Sequence, residues 1–317
     1  MSNSRDLEIV SSSTDHPRPA QRLGSAAIHR VEAHGASASG AAHPTEKYSE
    51  AFASGFADLP KNFVDPGKRY SLVEEPDKRY RIVGFVDHPT AKTLDHEQSG
   101  NDNRVRVANT TAWPNSVHGH CIITYPDNQV YIGSGTMVNR HHVITAGHVV
   151  FDRAHGGWAK TIQFNAAQND GTLPYGPAFA TRLFSFKGWT DSGNRDYDTG
   201  MLILSTDLGN RTGWMGLITT GDLNGHQVTV SGYPGDKGGQ QQWAATGPIV
   251  GVSDHQITYN DYTKGGDSGA GVYGVWAGFN LEHVCADHVA GPNGIPNTGS
   301  RLSRDKYDRI VNEWFPV

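Results

Sequence analysis

The sequence predicts an all-β protein, and three observations carry that expectation. After residue 104, short runs rich in Val, Ile, Thr, Phe and Tyr follow one another, each broken by Gly, Pro, Asn or Asp. Gly supplies 38 of 317 residues, about 12% against a usual ~7%, which favours turns over helical bundles. Clear helical periodicity is confined to the C-terminus. Many short strands at fairly regular spacing point to a sandwich or a barrel.

The expected strands, in order, are Cys121–Tyr125, Val130–Val138, His142–Thr145, Thr161–Phe164, Met201–Leu204, Val228–Val230, Ile257–Tyr259 and Val272–Tyr273. No internal repeat is visible. The one expected helix covers about 304–315. Ser303 suits the N-cap and Asp305 the first turn, and Tyr307, Ile310, Val311 and Trp314 fall at i, i+3, i+4 and i+7. Ahead of residue 104 the texture differs. Residues 1–45 are rich in Ser, Ala, His and Pro and read as disordered. Residues 46–103 are mixed, with short β-prone patches at 71–73 and 80–86, and read as a pro-segment.

Composition excludes several classes. Lys+Arg 27 against Asp+Glu 32 gives a net charge of -5, which argues against nucleic acid or an anionic membrane as partner. No apolar run approaches roughly 18 residues, so no membrane-spanning helix is expected. No signal-peptide core is visible near Met1, so the compartment stays open. Two cysteines exclude a disulfide-dense scaffold and a four-cysteine zinc site. The 16 histidines, with His141 and His142 adjacent, include no His-x-x-x-His pair beside an acid, so no metal and no cofactor are expected.

Three segments carry chemistry. Thr145-Ala146-Gly147-His148 follows a strand and delivers an imidazole into a turn. Asp196-Tyr197-Asp198-Thr199 places carboxylates at the mouth of the apolar run Met201–Leu204. Gly265-Gly266-Asp267-Ser268-Gly269 surrounds one serine with glycines, which allows a tight loop whose amides converge. Singly, such segments are commonplace turns and caps. Together, in the order His, Asp, Ser, they hold the parts that serine hydrolysis needs: a nucleophile, a base, an orienting carboxylate and oxyanion donors. Asp196 and Asp198 compete for the carboxylate role.

On these motifs the chain resembles the chymotrypsin-like serine proteases. More narrowly it resembles the bacterial glutamyl endopeptidases. The likeness runs over roughly 104–314 and includes Arg106-Val107-Ala108-Asn109-Thr110-Thr111-Ala112-Trp113-Pro114, Gly232-Tyr233-Pro234-Gly235-Asp236-Lys237 and Gln242-Trp243. The resemblance implies two six-stranded antiparallel β-barrels with the active site between them. A protease domain at 104–317 would divide into barrels at about 104–220 and 221–302, followed by the helix. It implies Ser268 as nucleophile, His148 as base and acid, Asp198 as orienting carboxylate, and the amides of Gly266 and Ser268 as the oxyanion hole. Protein or peptide substrates and a monomer are expected.

A tryptic pocket would carry Asp six positions before the serine; Tyr262 stands there. The family pattern for acidic substrates has Ser or Thr five positions before, here Thr263, and a histidine on a later strand, here His288. Both donate to a carboxylate. An apparent insertion around 276–281 makes His283 the rival, and Asp287 should face away from the pocket by strand alternation. Two departures matter. Val149 replaces the cysteine that many relatives carry after the catalytic histidine, so that disulfide is absent and Cys121 and Cys285 are expected as buried thiols. Asp267 stands where relatives have Asn or Gln, and needs a partner: Lys264, or an amine freed by cleavage between Arg81 and Arg104. Arg81-Ile82-Val83-Gly84 resembles a tryptic cut, while family alignment favours one near Glu97. Alternatives to an active enzyme of acidic preference are another substrate preference, a silent protease-fold binding protein, and a β-rich surface-binding module.

Overall fold

The computed structural model describes residues 102–291 and 296–316, with the backbone of four short strand segments at 9–13, 71–74, 80–83 and 92–93. The readings of 1–45 as disordered and of 46–103 as a pro-segment cut near Glu97 fall almost wholly outside the described residues.

Two closed antiparallel barrels form the body. The first holds β1 (His118–Thr124), β2 (Val130–Met137), β3 (His142–Thr145), β4 (Thr161–Ala166), β5 (Ala178–Phe186) and β6 (Gly200–Leu204). The second holds β7 (Gln227–Gly232), β8 (Trp243–Val252), β9 (Gln256–Tyr259), β10 (Gly271–Val275), β11 (Glu282–Ala290) and β12 (Asn297–Arg301). Their hydrogen-bonded orders are β5-β4-β1-β2-β3-β6 and β11-β10-β7-β8-β9-β12, closed by β5–β6 and β11–β12. Thus the two barrels share one topology although no repeat survives in the sequence. Closure leaves few free edges for so many short strands.

Burial explains which strands were easy to see. β3 and β6 are buried along their whole length, and β6 therefore reads as a continuous apolar run. Three strands escaped the sequence reading. β8 contains Gly247 and Pro248, which read as a turn. Its register breaks at Ile249/Gly251, and a side chain at Gly247 would strike the Asp261 carboxylate. β12, Asn-Thr-Gly-Ser-Arg, has no apolar residue. β5 is interrupted by Arg182 and shifts register between Ala180 and Arg182.

The C-terminal helix begins as α2 (Arg304–Arg309) and loosens into a π-turn at Ile310–Trp314, with Phe315 N–H donating to the Ile310 carbonyl at 3.0 Å. Ser303 has the extended backbone of a cap, but its hydroxyl caps no amide. It donates to Asp305 Oδ1 at 2.5 Å, and that carboxylate accepts the Lys306 N–H at 3.0 Å. The capping expectation is corrected accordingly. Tyr307, Ile310 and Trp314 are buried and Val311 packs at the edge. Trp314 lies on Phe186 and Phe184 of β5, with ring centroids at 4.8 and 5.7 Å. The chain thus leaves the second barrel and ends against the first. Trp314→Ala should lower unfolding free energy by about 3–5 kcal/mol, read from the urea midpoint at unchanged slope.

Candidate active site

His148 sits in α1 (Gly147–Val150), directly after β3. Its backbone N–H donates to Asp198 Oδ1 at 2.8 Å, and its ring Nδ1 lies 3.0 Å from Oδ2 and 3.2 Å from Oδ1. One carboxylate therefore holds both the main chain and the ring. Asp198 is 1% exposed and His148 8%, so water competes weakly for these bonds. Gly147 is needed here: a Cβ would come within 2.9 Å of Asp198 Oδ1 and of the Trp189 ring. Asp196 points elsewhere, its Oδ1 accepting from Gln256 Nε2 at 2.6 Å. Tyr125, fully buried, donates its hydroxyl to the His148 carbonyl at 2.5 Å, with the Val149 carbonyl at 3.2 Å. The sequence reading gave Tyr125 no such part. Cys121 and Cys285 are both free and buried. Burial pushes both thiols up, Cys285 to about 12.

Ser268 belongs to a loop held from two sides. Gly266 adopts φ +106, and a side chain there would strike the Tyr233 carbonyl. Gly235 N–H donates to the Gly265 carbonyl at 2.6 Å, so the Gly-Tyr-Pro-Gly stretch cradles this loop. From the other barrel, Ser134 N–H donates to the Ser268 carbonyl and Ser134 Oγ to the Gly266 carbonyl, both at 2.8 Å. Asp267 is buried, and its Oδ2 accepts the main-chain N–H of Lys264 at 3.0 Å while its own N–H returns to the Lys264 carbonyl at 3.0 Å. Lys264 thus meets Asp267 through its backbone; its Nζ lies 5.5 Å over the Tyr262 ring. Nearby, the Arg104 guanidinium is clamped by Asp102 and Asp236. Burial opposes its charge, yet those bonds hold its pKa above the ordinary value.

Ser268 Oγ is buried and bonds to no described residue, His148 included. Nor does any described acceptor meet the N–H of Gly266 or Ser268. The main chain brings the serine loop beside the strand that leads to His148: a side chain at Gly269 would strike Thr145 Oγ1, three residues before His148. A buried hydroxyl and an imidazole oriented by a carboxylate suit acyl transfer, and such contacts tighten when substrate binds.

Beside this loop, His288 on β11 exchanges backbone bonds with its neighbours: Gly269 N–H donates to the His288 carbonyl and His288 N–H to the Ala270 carbonyl, both at 2.8 Å. His288 Nδ1 lies 2.6 Å from the Tyr259 hydroxyl. His283, the rival, sits at the far end of β11, opposite Gly274, with Nδ1 3.0 Å from the Leu281 carbonyl. Thr263 is buried, and its Oγ1 has no partner among the described residues. Asp287 turns away, its Oδ1 accepting from Thr199 Oγ1 at 2.7 Å. Tyr262 N–H is held by Asn103 Oδ1 at 2.9 Å.

The sequence profile of the family described as Trypsin matches residues 106–289. The glutamyl endopeptidase of Bacillus licheniformis is 36% identical over 219 residues, covering 67% of both chains. A Bacillus subtilis protein named an extracellular metalloprotease is 35% identical over 214 residues, again 67% of both. Among the described residues here, no three His, Cys, Asp or Glu side chains gather to hold a metal ion. A solved Glu endopeptidase structure superimposes with a TM-score of 0.60 at 26% identity, covering 67% of this chain and 97% of that one. The chain belongs to the trypsin family of serine endopeptidases.

Proposed function

We propose that Ser268, His148 and Asp198 form the catalytic triad, that the amides of Gly266 and Ser268 form the oxyanion hole, and that the enzyme prefers Glu or Asp before the scissile bond. The observation that supports the triad is the double grip of Asp198 on His148. With Nδ1–H committed to the carboxylate, Nε2 is left as the basic nitrogen. It takes the Ser268 proton as Oγ attacks the carbonyl. The tetrahedral oxyanion forms where the two amides converge, each worth about 2.7–4 kcal/mol. The imidazolium, stabilised by Asp198, then protonates the leaving amine. Water enters the acyl-enzyme by the same route in reverse.

Acidic preference rests on His288 and Thr263 beside the serine loop, and on relatives named for that preference. Tyr259 fixes the His288 ring through Nδ1, and the imidazole would donate to a substrate carboxylate. The Thr263 hydroxyl is a second donor. Tyr262, in the tryptic position, brings no charge to bind Lys or Arg.

A fluorophosphonate probe should label the wild type and not Ser268→Ala, and that substitution should lower kcat by roughly 10⁶ while the melting temperature holds. An unlabelled wild type would point to a silent binding protein. Gly266→Ala should reduce kcat by about 10²–10³, because the displaced peptide no longer aims its N–H. On a peptide library, His288→Ala and Thr263→Val should each cut the Glu-over-Gln ratio by roughly tenfold to a hundredfold. Unchanged ratios in both would place the pocket elsewhere.

A further inference from the structure

A buried cation lies behind the Asp198 turn. Lys306, on α2, is fully buried. Its Nζ donates to the Asp196 carbonyl at 2.5 Å and to Ser300 Oγ at 2.8 Å, with the His255 carbonyl at 3.3 Å. Ser300 Oγ lies 2.9 Å from Thr199 Oγ1, which lies 2.7 Å from Asp287 Oδ1. The Lys306 ammonium can only donate. The Thr199 hydroxyl lies within donating distance of both Asp287 Oδ1 and Ser300 Oγ, and Ser300 Oγ also lies 3.4 Å from the Asp196 carbonyl. The network joins the Lys306 ammonium to the Asp287 carboxyl through two hydroxyls.

The placement matters because Asp196 and Thr199 flank Asp198. The lysine grips a carbonyl on one side of the carboxylate and, through Ser300, a hydroxyl on the other. Four elements meet there: the turn from the first barrel, β11 and β12 from the second, and the C-terminal helix. We propose that Lys306 is a positioning residue for Asp198, through which the C-terminal helix holds the 196–199 turn in the conformation that orients His148. This rests on the triad proposed above.

Energetics favour a purpose. Burying an ammonium and a carboxylate costs more than filling the same space with apolar side chains. Burial pushes Lys306 down to about 8 and Asp287 well above the usual carboxylate range, while each charge resists the other's shift. The groups facing the ammonium are Asp287 on β11, Asp305 on α2, Asp196 and Asp198 on the turn, the Tyr197 ring at 5.7 Å and the His255 carbonyl. The lysine pKa is depressed, so the cation is present below about pH 8 and is lost as pH rises through it. Loss removes the positive charge opposite Asp287 and Asp198.

The test measures kcat and KM on a Glu peptide from about pH 6 to 10 for wild type, Lys306→Met, Ser300→Ala and Thr199→Val, with probe labelling of Ser268 in parallel. In Lys306→Met, kcat should fall roughly tenfold to a hundredfold, the cost of a small misplacement, with KM within about twofold. The wild-type decline centred near pH 8 should vanish with the lysine. Ser300→Ala and Thr199→Val should lower kcat in the same direction and keep that decline. If Lys306→Met does not fold, those two variants carry the test. Wild-type kcat in folded Lys306→Met, or in both hydroxyl variants, overturns the proposal, as does an alkaline decline that persists without the lysine. A wild type that never labels overturns the triad and this proposal together; one that labels alongside unaffected variants overturns this proposal alone.

Discussion

The loop that carries Ser268 depends on a few hydrogen bonds made by a second buried serine. Ser134 reaches across the barrels with two polar groups. Its N–H holds the Ser268 carbonyl, its Oγ holds the Gly266 carbonyl, and that same Oγ accepts the N–H of Tyr233 at 2.9 Å. Its own carbonyl accepts Thr145 Oγ1 at 2.8 Å, tying the assembly to the strand that delivers His148. Each such bond contributes only about 1 kcal/mol to stability. Their value lies in geometry, since acyl transfer tolerates little error in the distance between hydroxyl and imidazole.

This arrangement follows from dividing the chemistry between two similar shells. The first barrel supplies the imidazole and its carboxylate. The second supplies the serine loop and the residues around His288. In the proposed triad neither half holds a working set, so a rigid seam between them is as necessary as the groups themselves. The C-terminal helix reinforces the seam by leaving the second barrel and burying Trp314 against β5 of the first.

Much of this was legible in the sequence for a specific reason. Glycines and polar residues that crowd a site leave a tight pattern, so the segments around His148, Asp198 and Ser268 stand out. Strands buried on both faces stand out too. What remained hidden was whatever depends on the partner across the seam. Tyr125 and Ser134 look like ordinary strand residues until the fold brings His148 and Gly266 beside them. The choice between Asp196 and Asp198 could not be made from the residues alone, because both lie at the strand mouth and only one faces the imidazole. Nothing in the sequence marks Lys306 as buried, since a lysine near a helix end is normally solvated. Asp267 seemed to call for a cation from a side chain or a freed amine; its buried carboxylate accepts the Lys264 backbone amide and feels the charge of Arg104.

The turn that bears His148 shows how a missing covalent link can be replaced. Where many relatives have a cysteine after the histidine, Val149 stands here, and a side chain on Gly133 would meet its Cγ2 at 3.3 Å. The two positions face each other without a bond. A disulfide typically contributes about 2–4 kcal/mol, largely by restricting the unfolded chain, and a hydrogen bond contributes less. Yet the requirement at this turn is local order rather than global stability. Tyr125 meets it from inside the barrel, anchoring the His148 carbonyl while Asp198 anchors its N–H. Both polar groups of the peptide backbone at His148 are thereby fixed, and the ring is fixed by the same carboxylate. A fold built this way owes nothing at its base to thiol oxidation, and its two cysteines, buried in separate barrels with raised pKa values, are poorly suited to react.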